Sequence, residues 1–227
     1  MNKSKYLLIL LIMTFTTSAI YSSHAQKRIR IQGGVWADWE NKKGRIWHSG
    51  QKTGQEWGGY VGLRPTIVKP NFDGDRHKPL SEKSKKLVQD AGYELKVVRQ
   101  GSWCGREPEQ VKNGIKYKVN TGEGKFDVTL ITAEYWEDDR HFGIKIQGKV
   151  VDKKFKAPKQ GEAIIQTFKK IKVSGDSMEI HLTTLQGVPR PQPLFMGLDI
   201  YPTGKDPRLV NTQDKLTTTW GRIKHKD

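Results

Sequence analysis

Between Tyr93 and Pro202 apolar and polar residues alternate in short runs, broken about every 8 to 15 positions by glycine, proline, serine or aspartate. Side chains of period two fit a sheet with one buried face and leave little room for a long helix. In Lys125–Ala133 the residues Phe126, Val128 and Leu130 share one face, and in His141–Ile146 so do Phe142, Ile144 and Ile146. Tyr93–Arg99 and Lys116–Val119 read as further strands, and Gln147-Gly148-Lys149 as a turn into Val150-Val151. Thr167–Val173 and the alternating Met178, Ile180 and Leu182 flank the tight turn Ser174-Gly175-Asp176, which predicts a hairpin. Leu194–Tyr201 forms the last strand. Seven or more strands without evident crossover helices predict an all-β chain, an antiparallel β-sandwich or jelly roll.

Residues 1–25 pose a separate problem. Lys3 and Lys5 precede the apolar run Tyr6–Met13, and small polar residues follow up to Ala25. This is the pattern of a secretory signal peptide, too short to span a bilayer. Cleavage near Ala25 starts the mature chain at Gln26 and makes it secreted or periplasmic, with no transmembrane segment. The domain then covers 26–202. A tail follows over 203–227, where Leu216, Trp220 and Ile223 stand at helical spacing. Cys104 is the single cysteine, so no internal disulfide holds an exported chain together and burial must do so. Cys104 itself, between Trp103 and Gly105, reads as a small buried hydrophobe.

The formal charge is +16, from 40 Lys and Arg against 24 Asp and Glu. Such a balance favours an anionic partner. Export argues against nucleic acid, and Lys153, Lys154, Lys156, Lys169, Lys170 and Lys172 suit solvated strand faces guarded against edge pairing. Trp36, Trp39, Trp47 and Trp57 lie among glycines in the first part of the chain, either as core anchors or as exposed stacking platforms. From Thr66 to Lys86 the chain reads as a polar loop ending in the basic cluster Lys83, Lys85 and Lys86, and within it Asn71, Asp73, Asp75 and Glu82 echo the spacing of a calcium loop, but Arg76 stands where the sharp turn needs glycine. No cofactor is expected, and calcium is the only metal the spacing suggests.

Gly124–Glu134 followed by Arg140–Val151 resembles the centre of the malectin and malectin-like family, in which a glycine-aromatic-valine-leucine strand ends in alanine-glutamate before a second strand closes in a glycine turn. Val98-Arg99-Gln100-Gly101, Ile115–Val119, Ser174–Ile180 and Gly197–Ile200 resemble neighbouring strands of that family, and Ile31–Gly34 its opening. The resemblance implies a galactose-binding-domain-like β-sandwich that binds carbohydrate without catalysis, through aromatic residues on loops. Its aromatic pair falls on Tyr135 and Trp136. Glu134, Asp138 and Asp139 stand beside the pair as candidate hydroxyl acceptors, and Trp47 as a further platform. Two positions depart from the pattern. Leu95 stands where the family has a tyrosine, and the loop Gly187–Pro193 lacks the family's aspartate, so its disaccharide specificity does not transfer. Arg190 in that loop favours an anionic sugar instead.

The sequence therefore predicts a secreted, non-catalytic carbohydrate-binding protein for an anionic or sulfated polysaccharide, which could associate with another secreted protein. The alternative is a glycoside hydrolase or lyase on a jelly-roll fold. Its acid/base candidates are His48, Asp73, Asp75, His77, Glu134, Asp138, Asp139 and His141.

Overall fold

The computed structural model describes residues 28–70 and 77–205. The leader with its boundary at Gln26, the tail from residue 206 with Leu216, Trp220 and Ile223, and Asn71, Asp73 and Asp75 lie outside the described residues.

Two main sheets carry the fold. The first has six strands in the order β11 (Glu162–Val173), β8 (Gly124–Glu134), β14 (Gly197–Pro202), β1 (Ile29–Gln32), β3 (Ile46–Ser49) and β2 (Trp39–Glu40). The second has five, in the order β10 (Lys149–Lys156), β9 (His141–Ile146), β12 (Met178–Thr183), β7 (Ile115–Val119) and β4 (Gly58–Tyr60). A small third sheet joins β13 (Leu194–Phe195), β6 (Gly101–Trp103) and β5 (Thr66–Val68). Neighbouring strands pair antiparallel except β1 and β3, which run parallel from Ile31 beside His48.

The expected alternation builds the core between the two main sheets. Phe126, Val128, Leu130, Leu198 and Ile200 of the first meet Tyr117, Phe142, Ile144, Ile146, Ile180 and Leu182 of the second, all buried. Each such side chain contributes about 1.5–3 kcal/mol of transfer free energy. The six-stranded sheet is covered on its other face too. There Ile131, Ala133 and Tyr135 pack against Leu80, Val88, Val97 and Val98. Double coverage explains why β8 is buried at nine consecutive positions rather than at alternate ones.

The outer cover corrects two sequence expectations. Tyr93–Arg99 is not a strand: Leu95–Val98 forms a 3₁₀ turn that sets the adjacent Val97 and Val98 both into the second core. The lysine-rich segment read as a loop forms helix α1 (Glu82–Asp90), capped where Ser81 Oγ accepts from Ser84 N at 3.2 Å. Its buried residues are Ser84 and Val88, and Leu80, just before the cap, continues the same four-residue spacing, hidden in the sequence by the intervening lysines. Glu82, the last residue of the calcium-like spacing, opens this helix and pairs with Lys85 at 2.6 Å. The element before that spacing is a strand, β5, rather than a helix.

A third correction concerns the predicted hairpin at Ser174-Gly175-Asp176. β11 and β12 belong to different sheets, so the turn is a crossing between layers. It lies against the crossing from β7 to β8, where Gly122 N donates to Asp176 O at 2.9 Å. The hairpin at Gln147-Gly148 does form, with φ of 52° and 71° that match the mirror-image turn favoured by twisted strands. β10 and β11 are the outer strands of their sheets, and Lys153, Lys154, Lys156, Lys169, Lys170 and Lys172 stand exposed on them. This is the edge-guarding placement expected.

Candidate functional site

β8 ends at Glu134 and the chain bends through Tyr135–Asp139 before β9 begins. At the bend Glu134 is fully buried, and its two oxygens take separate partners. Oε1 accepts from the backbone N–H of Trp136 at 3.0 Å and of Glu137 at 3.3 Å, while Oε2 accepts from Arg140 Nε at 2.7 Å. Arg140 also donates through Nη1 to Gln192 O at 3.0 Å. Its backbone bridges in parallel to that of Arg190, with His141 N donating to Arg190 O at 3.0 Å. One carboxylate thus sets the positions of an indole and a guanidinium, and a backbone bridge brings a second guanidinium alongside.

These groups border a cleft of about 440 Å³. Trp136 and Trp103 supply aromatic surface, Arg106, Arg140 and Arg190 supply positive charge, and Glu137 is the one carboxylate among the described residues. Val68 and Leu194 add apolar lining from the small third sheet. Arg106 lies over the Trp103 ring at 5.9 Å from its centroid. The Trp103 indole N–H is buried without a hydrogen-bond partner among the described residues. Glu137 Oε2 reaches Arg190 Nε at 2.6 Å and Arg140 Nη2 at 3.7 Å. Three guanidinium groups against one carboxylate among the described residues leave the lining cationic, and a partly enclosed recess strengthens the attraction for an anion.

The sequence-predicted residues separate around this cleft. Trp136, half-buried, and Arg190, exposed, both line it. Tyr135 does not: it is 3% exposed, and its hydroxyl donates to Val98 O at 2.7 Å, fastening the end of β8 to the 3₁₀ turn. Burial raises the Tyr135 phenol pKa well above its ordinary value, against a smaller opposing effect of Arg99. Glu134 holds Arg140 rather than facing a ligand. Asp138 accepts from Gln160 N at 2.8 Å, and Asp139, at φ 61°, pairs with Lys156 at 3.2 Å on the surface.

Trp47 lies away from the cleft: it is 1% exposed, with its ring stacked on Trp39 at 6.1 Å. Trp57 is likewise buried and stacks on His48, whereas Trp36 is 61% exposed beneath Arg64. Trp103, Arg106, Glu137, Arg140 and Gln192 were not singled out as ligand residues by sequence. The Trp103-x-x-Arg106 pair and the six-residue step from Glu134 to Arg140 are the only local signals, and the contact between them is made by β6 and the β12–β13 connection, far apart in the chain.

Asp73 and Asp75 lie outside the described residues, and the described acid/base candidates do not meet in one site. His48 Nδ1 pairs with Asp38 at 3.0 Å and His141 Nδ1 with Asp139 O at 2.9 Å, while His77 meets the Trp136 ring edge-on. None of the three lines the cleft. Asp38 is held below the usual carboxylate pKa; burial pushes it up, but bonds from His48, Ser49 N–H and Lys52 outweigh that. Cys104 is 1% exposed, and burial pushes its thiol up to about 12 despite the opposing charge of Arg140. It is an inert core residue, as its flanking sequence suggested. Among the described residues no cluster of three or more His, Cys, Asp or Glu could hold a metal ion, and no helix is long and apolar enough to cross a membrane.

Fold and cleft together define a β-sandwich with a cationic, tryptophan-bearing recess. The sequence matches no protein-family model and no curated protein. Its shape is similar to several solved structures. The ANXUR1 extracellular domain of Arabidopsis thaliana aligns with a TM-score of 0.60 at 9% identity, over 80% of this chain and 49% of that one. The plant complex of RALF23 with FER and LLG2 gives 0.58 at 13% identity, over 79% and 49%. The Bacteroides uniformis β-glucuronidase gives 0.54 at 12% identity, over 78% and 18%. The chain spans about a fifth of that enzyme and about half of the receptor chains. At these identities the likeness is one of fold, and it is consistent with a malectin-like β-sandwich.

Proposed function

We propose that the protein is a secreted, non-catalytic carbohydrate-binding module whose cleft receives an anionic glycan. The reading rests on one observation: a single cleft combines the indoles of Trp136 and Trp103 with three arginines against one carboxylate. Sugar rings present apolar C–H faces that an indole can cover, and guanidinium groups pair with carboxylate or sulfate through parallel N–H donors. Rigid placement of Arg140 by Glu134 lowers the ordering cost of binding. The fold-level likeness to extracellular receptor domains supports an exported protein.

A hydrolase reading requires two carboxylates about 5 to 9.5 Å apart across the glycosidic bond. Among the described residues the cleft lining offers only Glu137, already engaged by Arg190 and Arg140. The test is titration of the protein with neutral, uronic and sulfated oligosaccharides, with new reducing and unsaturated ends followed in the same samples. Saturable binding of acidic glycans without cleavage is expected. Cleavage products would replace this reading with the enzymatic one.

A further inference from the structure

We infer that Glu137 is an internal stand-in for the ligand's acid group, so that the site is built for the carboxylate of a uronate and opens when that carboxylate displaces Glu137. The inference rests on the carbohydrate-binding reading and narrows it to uronic-acid glycans.

The two arginines differ in how they are held. Arg140 is 5% exposed and is fixed by Glu134 Oε2 and Gln192 O, which use its Nε and Nη1. Its Nη2 has Glu137 Oε2 as partner at 3.7 Å, beyond hydrogen-bond length. Arg190 has a side chain 52% exposed and commits its Nε to the same Oε2 at 2.6 Å. A single carboxylate oxygen therefore bridges an anchored guanidinium and an exposed one at the cleft lining, while the Nη atoms of Arg190 have no acceptor among the described residues. The Glu137 side chain is 30% exposed and lies in the bend between β8 and β9 rather than inside a strand. It can rotate out without breaking a sheet bond.

Exchange of one carboxylate for another conserves the charge balance of the cleft, which is the least costly way to admit an anion to a site that is partly enclosed. It also sets selectivity. A neutral sugar gains nothing from displacing Glu137 and must leave the ion pair intact. A planar carboxylate reproduces the pair, and the ring attached to it is carried onto the flanking indole of Trp136. A sulfate also accepts parallel N–H bonds from a guanidinium, but it is tetrahedral and bulkier than the carboxylate whose place beside Arg140 and Arg190 it would have to take.

The experiment compares wild type, Glu137→Gln, Arg190→Gln and the double variant, each titrated with a uronic tetrasaccharide, a sulfated tetrasaccharide and a neutral one. Removing the internal competitor is expected to tighten uronate binding about three- to tenfold. The gain should vanish when Arg190 is also replaced. Glu137→Asp, which withdraws the carboxylate by one methylene, should shift affinity in the same direction and serves if the glutamine variant melts early. Unchanged or weaker uronate binding in Glu137→Gln overturns the inference, as does a gain that persists without Arg190. Preference for the sulfated sugar also overturns it. Binding of neutral sugar alone removes this inference but leaves the carbohydrate-binding reading standing, whereas no binding of any glycan removes both.

Discussion

Glu134 Oε2 and Arg140 Nε meet at 2.7 Å, with side-chain exposures of 0% and 6%. A buried ion pair is retained at little net cost only when its remaining donors and acceptors are also satisfied. Here most are: Glu134 Oε1 takes the N–H groups of Trp136 and Glu137, Arg140 Nη1 reaches Gln192 O, and Arg140 Nη2 faces Glu137 Oε2 across 3.7 Å. Folding of the β8 end and construction of the cleft are therefore the same event. The pair links the last residue of β8 to the residue before β9, and through Gln192 to the connection preceding β13.

Glu134→Ala should strand the Arg140 charge in a dry site and destabilise the protein by about 3–5 kcal/mol. Urea unfolding checks this. Acidic-glycan affinity should fall with it, since both the indole and the guanidinium lose their common anchor.

Two tryptophans should behave oppositely. Trp136→Ala removes a half-buried ring from the cleft and should weaken glycan binding about tenfold, with a small effect on stability. Trp47→Ala empties a 1% exposed site beneath Trp39 and Tyr93 and should cost about 3–5 kcal/mol. Paired titrations and melts of the two variants distinguish a binding residue from a core residue.

The period-two pattern revealed the sandwich because Phe126, Val128 and Leu130 point at one face and Phe142, Ile144 and Ile146 at the facing one. It missed the 3₁₀ turn because Val97 and Val98 gain their burial from the far side of β8, a relation no local period records. Sheet membership was equally hidden: Ser174-Gly175-Asp176 is the same kind of turn whether it closes a hairpin or crosses between layers. The cleft was half legible. Trp136 follows the strand end directly and Arg190 sits in a proline-rich loop, but Trp103, Arg106 and Arg140 become partners only when the small third sheet packs beside the bend. Trp47 could be read in sequence as anchor or platform, since a ring among glycines carries no sign of which face it meets.

Tyr135→Phe should lose the bond to Val98 O and leave that carbonyl short of a donor. A loss of about 1 kcal/mol is expected in denaturant melts. Glycan affinity should stay unchanged, because the hydroxyl faces the 3₁₀ turn and not the cleft.

Cys104 gives a pH signature. Its folded thiol pKa lies at about 12, above the ordinary value of 9.0. The unfolded chain therefore releases the proton first as pH rises, so the thiol's contribution to stability is complete below pH 9 and is lost progressively towards pH 12. Cys104→Ala should flatten that part of the stability profile. A thiol reagent at pH 8 should leave the native protein unlabelled and react fully once urea unfolds it.

The most direct test is calorimetric titration of the purified protein with a uronic tetrasaccharide at about physiological ionic strength, where weak charge-only contacts are screened. Wild type should bind saturably with one site per chain, and both Trp136→Ala and Arg190→Gln should abolish or sharply weaken the signal. Binding that is equal in all three proteins, or that disappears for wild type when salt is raised, would contradict the cleft as the binding site and leave only the general attraction of a basic surface for polyanions.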